Sequence, residues 1–170
     1  MNKILIYPDP LLRKKSQLIN KVGYKEKKLS KNMFEIMKES IGIGLAAPQI
    51  GELKRIITIH IKDLEKKIDK SYALFNPEIL WYSEDDVLME EGCLSVPRQF
   101  AEIKRPQKIR VRYLDISNKT VERDVDGVES RVIQHEIDHL EGKLFIDYLS
   151  SLKRNIIIKK LKKLKKLGEL

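Results

Sequence analysis

The sequence contains one cysteine, Cys93, among its 170 residues. A lone cysteine excludes an intramolecular disulfide, and a single thiol is typical of proteins in a reducing compartment. The chain also lacks a long hydrophobic run. The apolar stretch near its N-terminus has four residues before prolines interrupt it, too short for a signal peptide or a membrane span. These absences predict a cytoplasmic protein with no membrane span, in which the thiol of Cys93 is available for chemistry.

Most of the excess positive charge lies in residues 152–170. The net charge is +9, and residues 152–170, with eight Lys or Arg and the single acid Glu169, contribute +7 of it. The charge therefore does not indicate a nucleic-acid-binding domain, but a basic tail. With 42% hydrophobic residues, the chain can form one domain with its own core. We assign residues 1–150 to that domain and residues 151–170 to a basic C-terminal helix.

The spacing of apolar residues predicts two further helices and several strands. Helical spacing occurs in residues 26–40 and again from Gly127 onward. Strand-like segments separated by turn residues occupy residues 55–63, 72–80, 108–115 and 119–125. Because several strands precede one late helix, the pattern predicts an α+β fold. The glycine-rich residues 42–49 predict a loop whose backbone approaches a site.

Histidine is rare as well, and two of the three histidines lie four residues apart in "QHEIDH", residues 134–139. On a helix, His135 and His139 project one turn apart and can bind one metal ion, while Glu136 can reach a water on that ion. The alternative is a charged, solvated helix edge. The third histidine, His60, falls on the polar face of a predicted strand and is interpreted as a surface residue.

A catalytic metal site needs a third protein ligand. The metzincin pattern requires a histidine at position 145, which is Phe. The acids that follow the helix are poorly placed for the role of a thermolysin-type glutamate. Upstream, "EEGCLSVP" presents Cys93 beside a glycine, and we interpret it as the third ligand; the alternative is a buried structural thiol. One thiolate and two imidazoles would leave an open position for water, with Glu136 as general base.

Three motifs in order, "GIGLAAPQ", "EGCLS" and "QHEIDH", resemble those of the peptide deformylase family, and the likeness extends over nearly the whole chain. The resemblance implies antiparallel strands in small sheets around a central helix that carries the HExxH motif. It also implies a hydrolase that removes the N-formyl group from the formylmethionine of new polypeptides and releases formate. The expected metal is Fe(2+), with Zn(2+), Ni(2+) or Co(2+) possible in preparations.

The resemblance further implies roles for individual residues. Cys93, His135 and His139 would hold the metal, Glu136 would carry the proton, and Gln49 and the backbone N–H of Leu94 would stabilise the oxyanion. Residues at the substrate would be Ile43, Gly44, Gly92, Val128 and Val132. Glu91 matches a family acid that pairs with an arginine, which the sequence does not identify. Arg98 and Phe100 depart from the residues common in the family, which leaves the preference beyond methionine open.

The tail carries Ile157, Leu161 and Leu164 at helical spacing among lysines, which predicts a basic amphipathic helix. Three interpretations remain: a helix packed on the domain, a membrane-surface helix, or a contact with the ribosome or a nucleic acid. The resemblance favours a ribosome contact near the exit tunnel, and we expect a monomer. The alternatives to a deformylase are an HExxH metallopeptidase and a basic ribosome- or RNA-binding module with a structural metal.

Overall fold

The computed structural model describes residues 4–65 and 67–170. The helices are α1 (Tyr24–Glu39), α2 (Gly127–Leu140) and α3 (Ser151–Lys166), and short 3-10 helices span Pro10–Arg13, Ala47–Ile50 and Phe145–Tyr148. The strands are β1 (Gly44–Ala46), β2 (Ile56–Asp63), β3 (Ile68–Tyr82), β4 (Asp86–Cys93), β5 (Val96–Pro106), β6 (Lys108–Leu114) and β7 (Thr120–Asp126).

Two antiparallel sheets frame the central helix. The larger has five strands in the order β1-β2-β3-β6-β7, and the smaller is the hairpin β4-β5. Helix α2 lies against the larger sheet, where Ile133, Ile137 and Leu140 share a core cluster with Ile57 and Ile59. The predicted α+β class, with small antiparallel sheets around the HExxH helix, is confirmed.

Strand β2 is buried more completely than its alternating pattern predicts. Thr58, on the polar face, is fully buried. Helix α1 covers that face, since the Thr58 hydroxyl lies 3.9 Å from Met37 Sδ. The same hydroxyl is 3.4 Å from the carbonyl oxygen of Leu45 in β1. The sheet therefore has a helix on each side at β2. His60, further along, is partly exposed and lies 2.8 Å from Asp69.

The β4-β5 hairpin carries the EGCLS motif, which contains Cys93. The sequence did not predict these two strands. In a half-buried strand, apolar residues normally mark the inward positions. Here Glu91 and Arg105, both inward and buried, are charged, so the alternation of apolar and polar residues is lost. A buried ion pair therefore hides these strands from a pattern based on hydrophobicity.

Helix α3 packs on the domain through part of the predicted apolar stripe. Ile157 and Leu161 are buried in a cluster with Val96, Ile103 and Phe145. The C-terminal basic helix of the predicted fold is confirmed, and it shares its core with the β4-β5 hairpin. Among residues 4–65 and 67–170, no helix is long and apolar enough to cross a membrane.

Candidate metal centre and active site

Two histidines from α2 and the cysteine at the end of β4 meet in one cluster. One ligand atom from each of Cys93, His135 and His139 lies within 4.8 Å of the other two, and Cys93 Sγ is 3.2 Å from His139 Nε2. Donors that surround one ion at roughly 2.0–2.3 Å lie about 3–4 Å apart, so the cluster has the size of a metal site. Neutral imidazoles and a thiolate are suitable ligands for several divalent ions.

The cysteine reaches this position because the hairpin changes register. Gly92 pairs with Phe100, but the next residue, Cys93, pairs with Val96, so the chain turns sharply there. Phe145, which excluded a third histidine in the sequence, stacks on His135 with ring centroids 6.2 Å apart. The imidazole of His135 therefore lies between the thiol of Cys93 and the ring of Phe145.

Glu91 orients His135 from behind. Glu91 Oε2 is 2.8 Å from His135 Nδ1, which directs Nε2 of the ring toward the cluster. Arg105 and Arg131 both donate to the same carboxylate, at 2.6 and 2.9 Å. Burial opposes ionisation of Glu91, but the hydrogen bonds from His135 and Arg105 outweigh it and lower the pKa of the carboxyl to about 2. The acid therefore pairs with two arginines, where the family resemblance implied one.

Arg105 and Arg131 are functional candidates that sequence reasoning did not identify. Arg105 also donates to Asp138 at 2.7 Å, and Arg131 donates to the Ile103 carbonyl at 2.9 Å. Arg131 lies one helical turn before His135, so its position on the ligand-bearing face of α2 was a usable signal. Arg105 offered no local signal, because only the hairpin brings it to Glu91.

Glu136 lies in the wall of the site with one oxygen free. The residue is buried, and among the described residues its Oε2 has no hydrogen-bond partner. Burial raises the pKa of this carboxyl to about 7, and the charge of His135 opposes the shift only in part. His139 Nδ1 also has no partner among the described residues.

Gln49 directs its amide nitrogen at the thiol. Its Oε1 accepts a hydrogen bond from the Ala46 backbone N–H at 2.8 Å, which places Nε2 at 3.6 Å from Cys93 Sγ and 3.1 Å from Ser95 Oγ. Leu94 follows Cys93 in the tight turn between β4 and β5. The two predicted oxyanion donors therefore lie on the cysteine side of the cluster.

The cluster opens into a cavity of about 590 Å³. Most of the predicted site residues line it: Ile43, Gly44, Gln49, Gly92, Cys93, Leu94, Val128, Val132, His135 and Glu136. His139 is almost fully buried and does not line the cavity. The structure therefore places every predicted site residue either in the cavity wall or in the metal cluster.

Gly44 allows its backbone to lie close to Glu136 and Val132 on helix α2. A Cβ at this position would collide with the Glu136 carboxylate and lie 2.8 Å from Val132 Cγ1. The loop turn itself uses Ile41, with φ of 55°, as its left-handed residue. Gly42 lies against Leu94, since a Cβ at this position would be 2.9 Å from the Leu94 side chain.

Two strand edges face the cavity. β1 is the edge strand of the larger sheet, and β4 has only β5 as a partner in the smaller one. Residues from both, Gly44 and Glu90–Cys93, line the opening. A slot between two strand edges suits an extended peptide, which can add backbone hydrogen bonds on either side.

The sequence of this chain matches the model of a known protein family. The model of the family described as polypeptide deformylase matches residues 1–155. The chain belongs to the polypeptide deformylase family. The peptide deformylase of Rhodopseudomonas palustris (strain TIE-1) is 46% identical over 170 residues, covering 99% of this chain and 97% of the relative. That of Rickettsia canadensis (strain McKiel) is 48% identical over 167 residues, covering 95% of each.

Solved deformylase structures have the same fold. The peptide deformylase of Ehrlichia chaffeensis superposes with a TM-score of 0.93 at 38% identity, covering 99% of this chain and 98% of that one. A second structure from that organism, in complex with actinonin, gives a TM-score of 0.90 at 40% identity and covers 95% of each chain. The resemblance inferred from three motifs is confirmed, and the protein is a deformylase-family enzyme.

Proposed function

We propose that this enzyme is a metal-dependent hydrolase that removes the N-formyl group from the formylmethionine of newly made polypeptides and releases formate. One observation carries the proposal. The Cys93, His135 and His139 cluster adjoins a cavity between two strand edges, and the carboxylate of Glu136 lies in the wall of that cavity. The family membership supports the same reaction.

The metal would be held by Cys93 Sγ and by one ring nitrogen of each histidine. When bound, a divalent ion supplies Lewis-acid activation of water and of the formyl oxygen. Fe(2+) is the ion that the family implies, and Zn(2+), Ni(2+) and Co(2+) suit the same donors. The Cys93→Ala variant should lose metal, measured as bound metal per chain after purification.

Glu136 would move the proton. Glu136 lines the cavity, so its carboxylate can accept a proton from the attacking water. The same carboxyl group can then donate that proton to the amine that leaves. Both transfers use one group, because the formyl carbon and the leaving nitrogen belong to the same amide.

Gln49 and Leu94 would stabilise the charge that develops on the formyl oxygen. The bond from Ala46 N–H to Gln49 Oε1 fixes the amide so that Nε2, a donor, points to the site. The backbone N–H of Leu94 adds a second donor. Donors positioned in advance of the reaction stabilise a developing oxyanion without reorganisation.

The substrate would lie in the slot as an extended strand. Its backbone would pair with the loop at Ile43 and Gly44 and with β4 near Gly92. The methionine side chain would enter the cavity beside Val128 and Val132, which are four residues apart on α2. A small apolar pocket next to a backbone slot fits an N-terminal methionine.

One assay separates this function from its alternatives. Prepared anaerobically with Fe(2+), the enzyme should release formate from formyl-Met-Ala-Ser and leave the internal peptide bonds intact. An HExxH metallopeptidase would cleave an internal bond, and a binding module with a structural metal would do neither. Absence of formate with metal bound would refute the proposal.

We also propose that α3 contacts the ribosome and that the enzyme acts as a cytoplasmic monomer. The buried residues of α3 use one stripe of the helix, and its lysines are exposed on the remaining surface. A basic surface near the site of polypeptide synthesis would hold the enzyme close to its substrate.

A further inference from the structure

The outer face of the β4-β5 hairpin lies at the mouth of the cavity. Side chains alternate along a strand, so with Glu91 pointing inward, Glu90 and Gly92 point outward. Gly92 pairs with Phe100, and Glu90 pairs with Glu102. Glu90, Gly92 and Phe100 all line the cavity. The mouth therefore has an aromatic residue and an acidic residue on one side.

Phe100 covers the glycine that would contact the substrate. A Cβ on Gly92 would lie 2.6 Å from Phe100 Cε1, so the ring rests directly on the Gly92 backbone. Phe100 as a whole is nevertheless 64% exposed. An apolar surface of this kind, beside a slot for an extended peptide, is available to a side chain of that peptide.

The charge next to the ring is negative. Glu90 and Glu102 are exposed and directly opposite each other, and neither has an ion-pair partner among the residues that the structure describes. The nearby cations are already paired, Arg98 with Glu169, and Lys104 with Asp86 at 3.4 Å. Like charges opposite each other on a sheet repel, and a cation placed beside them would relieve the repulsion.

An extended substrate would bring its second residue to this face. If the methionine side chain points inward to Val132, the side chain of the next residue points outward, because the period of a strand is two. We propose that Phe100 and Glu90 select the second residue of the substrate, favouring a long apolar stem with a positive end, as in lysine or arginine, over an acidic side chain. This inference rests on the proposed deformylase function.

A set of four peptides tests the selection. In formyl-Met-X-Ala, X is lysine, norleucine, glutamine or glutamate, and formate release gives kcat/KM for each. The norleucine side chain retains the lysine stem without its charge, and glutamine matches glutamate in shape. We expect lysine to exceed glutamate by at least about threefold at low salt, with the ratio falling as salt rises.

Three variants identify the residues responsible. Glu90→Gln should lower the ratio of lysine to norleucine, and Phe100→Ala should lower the ratio of norleucine to glutamine, each by about twofold or more. The matched control, Glu122→Gln, removes the same charge from exposed β7 and should leave both ratios as in the parent enzyme.

Two outcomes would contradict the proposals separately. Equal kcat/KM for all four peptides, with efficient formate release, would overturn the selection and leave the deformylase function intact. No formate from any peptide would overturn the function itself. Ratios that change equally in Glu90→Gln and Glu122→Gln would also overturn the role of Glu90, since overall charge would explain them.

Discussion

Glu91 Oε2 lies 2.8 Å from Nδ1 of His135, and this contact joins a candidate metal ligand to a buried network of charges. The same carboxylate accepts from Arg105 and Arg131, and Arg105 reaches Asp138, the residue before His139. The positions of both histidines on α2 are thus supported by the β4-β5 hairpin. Loss of the network should affect metal binding as well as stability.

Glu91→Gln should weaken both properties. Removal of the charge leaves two buried guanidiniums short of a partner, which we expect to cost about 3–5 kcal/mol of unfolding free energy. Loss of the anionic partner of His135 should lower metal affinity by about tenfold or more. Chemical denaturation and a metal titration measure the two effects. Glu90→Gln, one residue away and exposed, is the control and should change stability by less than about 0.5 kcal/mol.

Glu136→Ala should separate turnover from metal binding. The side chain is not one of the three donors, so the variant should bind metal as the parent does. Formate release should fall by about 10²–10⁴-fold, because the proton carrier is missing. Metal content and kcat are measured on the same preparation. Retention of most activity would exclude Glu136 as the proton carrier.

Gly44→Ala should inactivate the enzyme without unfolding it. Gly44 does not have a positive φ, so the backbone tolerates alanine, but the methyl group would collide with the Glu136 carboxylate and with Val132. We expect a stability loss of about 1–3 kcal/mol together with a much larger relative loss of kcat. Gly23→Ala is the control, since its Cβ would meet only the mobile end of Glu26, at 3.3 Å.

Glu129 should make stability depend on pH in the acid range. Burial opposes its ionisation, but hydrogen bonds from Arg123, Lys70 and Tyr72 outweigh it, so the pKa of the folded state lies below the ordinary value of 4.5. The carboxylate therefore stabilises the fold fully above about pH 4.5, and this contribution is lost as the pH falls through the folded pKa.

Glu129→Gln should reveal this dependence in denaturation curves at several pH values. The parent protein should be more stable than the variant at neutral pH, and the difference should shrink below about pH 4.5. A difference that stays constant down to pH 3 would contradict the assigned pKa direction.

The ribosome contact is best tested by changing charge alone. Deleting residues 153–170 would remove Ile157 and Leu161 from the core, so lost association could reflect lost structure. Replacing exposed lysines on the opposite face of α3 by glutamine avoids this: Lys159, Lys163 and Lys166. Ribosome co-sedimentation should weaken and become less dependent on salt, while formate release from small peptides persists.

The matched control replaces three exposed lysines of α1 by glutamine: Lys25, Lys28 and Lys31. Association with ribosomes should be as in the parent protein. Unchanged association in the α3 variant, or equal loss in both variants, would contradict a specific role for α3. Binding of the parent protein to anionic vesicles in place of ribosomes would favour the membrane-surface interpretation.

The amino-acid sequence by itself determined the part of the site that lies on one helix. The period of 3.6 residues places His135 and His139 one turn apart wherever α2 lies, so their spacing predicted a two-histidine site. The apolar repeats of α1, α2 and α3 are equally local, and they predicted these helices within a few residues of their observed bounds. The antiparallel strands from residue 55 to 126 were found by the same reasoning, except where charge replaced hydrophobicity.

Only the tertiary structure decided which residues from distant parts of the chain are in contact. The distance of 3.2 Å between Cys93 and His139, 46 residues apart, depends on the register of the β4-β5 hairpin and on its packing against α2. The same packing brings Arg105 and Arg131 to Glu91. No local pattern encodes these contacts, because the positions of their backbones are set by the whole core. The local spacing specifies which side chains can act together, and the packing determines which of them meet.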